Sequence, residues 1–82
     1  MRLALAQMQP STGEPADMLA RLGAALDQAR AAGAVALVVP ELVLPGYNRP
    51  DLHAAAAQTR DGPWLTRLGA LARSQGVALV FG

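Results

Sequence analysis

The run Ala34-Val35-Ala36-Leu37-Val38-Val39, closed by Pro40, is the feature that most constrains this chain. Six apolar residues are too few for a helix of their own and lack the alternation of a half-exposed strand, so they predict a strand covered on both faces. Such strands belong to parallel sheets, in which crossover helices lie over the strands. The residues upstream supply both a strand and a helix. Between Arg2 and Met8, Leu3 and Leu5 alternate with Ala4 and Ala6, which predicts a first strand. From Ala16 to Ala32, Met18, Leu19, Leu22, Ala25, Leu26 and Ala29 recur at helical spacing, with Arg21, Asp27, Gln28 and Arg30 off the stripe. Pro15 suits the helix's first turn, Asp17 its positive end, Arg30 its negative end, and Gly33 a left-handed cap.

Beyond Tyr47 the alternation continues. Asp51 to Gln58 predicts a short Ala-rich helix, and Asp61-Gly62-Pro63 a cap followed by a first-turn proline. Trp64, Leu65, Leu68, Leu71 and Ala72 then mark a second amphipathic helix ending at Gly76, and Val77 to Phe81 a third strand. The order βαβαβ defines an α/β fold with a parallel sheet, and no linker or fixed-period repeat divides residues 1–82.

Size and charge narrow the functions. A chain of 82 residues buries only about 60–65% of its unfolded surface. With 52% hydrophobic and 16% charged residues, some apolar surface is expected to need a partner. A net charge of +1 with dispersed arginines argues against nucleic acid. No run reaches the roughly 18–20 apolar residues of a membrane span, so no membrane partner is expected and a cytoplasmic location is the default. The chain has no Cys and no Lys, which removes disulfides, thiolate metal sites, a thiol nucleophile and any P-loop. His53 is the sole histidine, and Asp51, two residues away, is poorly spaced to share a metal with it, so no metal site is expected there. His53 reads as a surface or partly packed side chain, Met8 and Met18 as core fillers, and Trp64 as a packing anchor.

The chemistry centres on Glu41. Pro40 has no N–H for the ladder, so the chain must leave the sheet there, and Glu41 projects at the strand's carboxyl end. That edge is where open α/β sheets bind ligands. A burial-raised pKa would suit this carboxylate to accept and return a proton near neutrality. The plain alternative is a solvated Glu that opens a loop.

The segment Pro40-Glu41-Leu42-Val43-Leu44-Pro45-Gly46-Tyr47 resembles the Glu motif of the nitrilase, or carbon-nitrogen hydrolase, superfamily. Leu3 to Gln7 is similar to that family's first strand, Gly33-Ala34 to its approach to the second, and Asp61-Gly62-Pro63 and Gly76 to Gly82 follow its order. The resemblance covers essentially the whole chain but only the amino-terminal portion of a family domain, so residues 1–82 are expected to be an incomplete domain. It implies the βαβαβ portion of an α-β-β-α sandwich that hydrolyses non-peptide C–N bonds of small amide, carbamoyl or nitrile substrates, without a cofactor. In such a family Glu41 is the general base of a Glu-Lys-Cys triad, whose other two members are missing here. The complete protein is then expected to be a homo-oligomer. Tyr47 either lines the substrate pocket or is a buried residue pinning the loop, the structural role being favoured. The rival expectation is a catalytically inactive α/β fragment that acts through association with itself or with a complete relative.

Overall fold

A computed structural model describes residues 1–11, 13–46 and 48–82. Three short strands, β1 (Leu3–Leu5), β2 (Ala36–Val38) and β3 (Ala78–Val80), form a parallel sheet in the order β1-β2-β3. The register sets Ala4 beside Leu37 and Leu37 beside Leu79. Because parallel neighbours in register point to the same side, these three residues form one row, and they pack towards the core.

Helix α1 (Pro15–Ala31) crosses between β1 and β2, and α3 (Pro63–Gln75) between β2 and β3. Between β2 and α3 the chain forms a 3-10 turn (Pro50–Leu52) and the single-turn helix α2 (His53–Ala56). The predicted stripe of α1 is the buried one: Met18, Leu22, Leu26 and Ala29 enter the core, with Leu19 and Ala25 packed at its margin. Leu68 is the buried residue of α3, flanked by Trp64, Leu65 and Leu71. Full burial of each such leucine contributes about 1.5–3 kcal/mol, so these few side chains dominate the stability of so small a body. α1 closes as its sequence predicts. Gly33 adopts φ 77, its N–H donates to Arg30 O (2.9 Å), and the Ala34 N–H donates to Ala29 O (2.9 Å), a Schellman closure.

Two expectations are corrected. First, β2 is covered on one face only. Leu37 is buried beneath the helices, but the opposite face carries Leu3, Leu5 and Val80, all more than half exposed, alongside Ala36, Val38 and Ala78. Second, Asp61 does not cap α3. The N-cap is Gly62, whose side is closed by Gln58: its Oε1 accepts from the Trp64 N–H at 3.2 Å. Asp61 instead accepts a hydrogen bond from the Thr59 hydroxyl at 2.9 Å. Trp64 is partly buried, with the Arg67 guanidinium 5.0 Å from its ring centroid, a cation–π contact on an anchored aromatic.

Candidate active site

The exits of all three strands converge on Glu41. Hydrogen bonding of the sheet continues past the strand ends, with Ala6 N–H donating to Val38 O (2.9 Å) and Val39 N–H to Val80 O (3.0 Å). Pro40 donates nothing, and the chain turns away at residues 41–45. Glu41 lies against the exit of β3: a Cβ placed on Gly82 would stand 3.4 Å from Glu41 Cβ. The turn is anchored from below by Val43 and Leu44, both buried in the core.

Leu42 takes φ 52, the only positive φ of a non-glycine residue among those described. A leucine in that region is disfavoured by contact of its Cβ with backbone, so the surroundings must hold it there. They do so from both ends. The Leu42 N–H donates to Gly82 O at 3.1 Å, and Leu42 O accepts from the Gly46 N–H at 2.8 Å. Gly46 in turn is buried with φ 94, and its carbonyl accepts from the Arg49 N–H (3.0 Å) and lies 2.9 Å from His53 Nε2.

The loop leaving β1 forms the other wall. Ser11 is the buried polar residue of this region, and its hydroxyl accepts from the Gly13 N–H at 3.0 Å, the local turn that serine favours. Arg21, on α1, ties this loop down through Nη1 to Gln9 O (2.9 Å) and Nη2 to Pro10 O (3.3 Å), while Asp17 faces its Nε at 3.4 Å. Between the two loops lies a pocket of about 140 Å³ lined by Met8, Pro10, Met18, Glu41 and Val43. A second pocket, of about 310 Å³ and bounded by Leu42, Leu44, His53, Leu65 and Phe81, lies on the other side of the turn.

Glu41 therefore occupies the predicted place, but its side chain is exposed. The burial expected of this carboxylate is not provided by these 82 residues. Tyr47 lies outside the described residues. Leu42, Ser11 and His53, which the sequence did not single out for the site, are the residues that shape the turn. Among the described residues no group of three or more His, Asp or Glu side chains is arranged to hold a metal ion. Arg49 and Asp51 form an exposed bidentate pair at 3.2 and 3.0 Å. Hydrogen bonding to Arg49 holds the Asp51 carboxyl below its ordinary value, against a weaker opposing effect of desolvation, and Asp51 raises the Arg49 guanidinium.

A parallel βαβαβ layer that places a carboxylate at the exit of its central strand defines an α/β protein with an ionisable side chain at the sheet's carboxyl edge, the edge at which open sheets bind ligands. The sequence model of the carbon-nitrogen hydrolase family matches residues 2–82. The chain belongs to the carbon-nitrogen hydrolase family, and its sheet is part of a nitrilase-like fold. It is similar to a Pseudomonas protegens protein described as a hydrolase in the pqqF 5′ region, with 37% identity over 83 residues, covering 100% of this chain and 28% of the relative. It is also similar to a glutamine-dependent NAD(+) synthetase of Rhodobacter capsulatus, with 37% identity over 78 residues, covering 78% of this chain and 14% of the relative. The chain thus spans less than a third of the length of either relative. No solved structure gives a significant match to the chain. Among the described residues no helix is long and apolar enough to cross a membrane.

Proposed function

We propose that these residues form the amino-terminal part of a carbon-nitrogen hydrolase domain and supply its general base, Glu41. The observation that carries this reading is the position of Glu41 at the exit of the central strand, bracketed by the exits of β1 and β3, in a chain of this family. In the proposed reaction Glu41 accepts the proton of a cysteine thiol, and the thiolate attacks the carbon of an amide, carbamoyl or nitrile group. For an amide or carbamoyl group, Lys and backbone donors stabilise the tetrahedral intermediate, Glu41 returns its proton to the departing ammonia or amine, and as a carboxylate again it activates the water that cleaves the thioester. A nitrile gives a thioimidate instead, to which one further water adds before ammonia leaves. Neither the Cys nor the Lys is among the 82 residues, so both come from chain beyond this segment, which also supplies the cover that Glu41 lacks here. Amides are the favoured substrates, a preference supported by a relative whose name declares glutamine dependence, glutamine being a carboxamide. The protein works in the cytoplasm, as a homo-oligomer when complete.

A second reading, that the chain acts by association with itself or a relative, is favoured by the open apolar face of Leu3, Leu5 and Val80. Glu41→Gln in the native protein separates the two. Loss of the base removes about 10²–10⁴-fold of amide turnover, measured as ammonia release, with the unfolding midpoint unchanged. Turnover that survives the substitution refutes the assignment.

A further inference from the structure

We propose that His53 is a positioning residue for Glu41, fixing through one hydrogen bond the turn from which the carboxylate projects; this rests on the reading of Glu41 as general base. His53 Nε2 lies 2.9 Å from Gly46 O in a part-buried setting. A carbonyl only accepts, so the imidazole carries its proton on Nε2 and donates. From Gly46 the constraint runs without a break to the site. The Gly46 N–H holds Leu42 O, the Leu42 N–H holds Gly82 O, and Glu41 is bonded to Leu42.

Leu42 is the residue most able to release this arrangement. Its left-handed φ of 52 is one that leucine abandons unless held, and its return to the right-handed region would re-aim the peptide that follows Glu41. His53 is well placed to prevent this, because it is delivered by a short helix rather than by a free loop. It opens α2 directly after the Pro50–Leu52 turn, and Leu52 is wedged against the β1-exit loop, its Cδ1 only 2.6 Å from where a Cβ on Gly13 would stand. The donor is therefore anchored to one wall of the site and grips the other. Gly46 O keeps its second donor, the Arg49 N–H at 3.0 Å, when the imidazole is removed. An apolar replacement accordingly orphans no buried carbonyl, and it faces a pocket already lined by Leu42, Leu44 and Phe81.

His53→Leu and His53→Gln, compared with the unaltered native protein, test the proposal by amide hydrogen exchange and by steady-state hydrolysis of glutamine and acetamide. His53→Leu is expected to speed exchange at Leu42 and Gly46 by about five- to tenfold while Leu26 and Leu68 keep their rates. It lowers kcat with KM unmoved, and His53→Gln, which restores an N–H near the Nε2 position, recovers both readouts. Unchanged exchange in the turn overturns the proposal, as does a rise spread equally over Leu26 and Leu68, which would make His53 a general stabiliser. Localised exchange with unaltered kcat also overturns it, because the clamp would then not reach Glu41. Glu41→Gln run in parallel reads the base assignment separately: turnover that survives it, or no turnover in the unaltered protein, counts against Glu41 while the exchange data still decide whether His53 holds the turn.

Discussion

Gly46 and Ser11 meet so closely that a Cβ on Gly46 would stand 3.0 Å from the Ser11 carbonyl oxygen and 3.3 Å from its Cβ. This is the contact that closes the β2-exit turn against the β1-exit loop, and both of its residues are buried. Two loops from different strands can share a wall beside Glu41 only because one of them presents bare backbone there.

Gly46→Ala therefore suffers twice, from φ 94 and from collision with backbone that has no rotamer to yield. The expected loss is about 3 kcal/mol, combining left-handed strain with overpacking. Gly76→Ala is the matched control. Its φ of 65 is also positive, but no atom lies within 4 Å of the added Cβ, so the strain alone applies, about 1 kcal/mol. Urea denaturation of the two variants checks the order. Equal losses would mean that the Ser11 contact yields without cost.

How much of this was legible in the sequence follows from what each residue can report. The stripe Met18, Leu22, Leu26 and Ala29 was readable because helical spacing fixes which side chains share a face. Pro40 marked the strand exit because a missing N–H has the same consequence in any sheet. The strands themselves are shorter than the apolar runs that announced them: β2 is Ala36–Val38 within a run from Ala34 to Val39. Apolar character measures suitability for burial, whereas the ladder ends where hydrogen bonding turns aside. The same distinction explains the open face of β2, since Val38 and Val80 are suited to cover that these 82 residues do not provide. The cap of α3 was missed because Gln58 folds back from outside the local window in which Asp61 was the obvious candidate. Nothing in a leucine signals the left-handed conformation of Leu42, and nothing in His53 signals Gly46, seven residues away. The place of Glu41 was thus local information, and the means of holding it was not.

Acid should expose the Arg49–Asp51 pair. Asp51 is held below its ordinary range by hydrogen bonding from Arg49, so near that range the native state binds fewer protons than the unfolded chain. The pair's contribution is then fully present above the unfolded carboxyl pKa, about 3.9, and is lost as pH falls through the lower folded value. Both side chains are open to solvent, which keeps the effect small and sensitive to salt. Asp51→Asn is expected to flatten the acid limb of stability against pH at low ionic strength and to change little at about 1 M salt. Denaturation midpoints taken between about pH 2 and pH 5 decide it. A limb of the same slope in the variant would show that the pairing is without consequence for folding.

The exposed sheet face makes the last prediction. Leu3, Leu5 and Val80 point to the same side of the register, with Ala36, Val38 and Ala78 between them, and Leu5 is 77% exposed. A contiguous apolar surface on an open sheet is a template for association. The 82-residue chain by itself is expected to sediment as a concentration-dependent mixture of oligomers. Leu5→Lys with Val80→Lys should shift it towards monomer, since neither side chain faces the helices and both cations remain hydrated. Light scattering and sedimentation velocity across a range of concentrations provide the check. Association unchanged by the two lysines would place the contact elsewhere, on the groove of Leu19, Arg67 and Leu71 between α1 and α3, and would remove the observation that favours an associating role for the sheet.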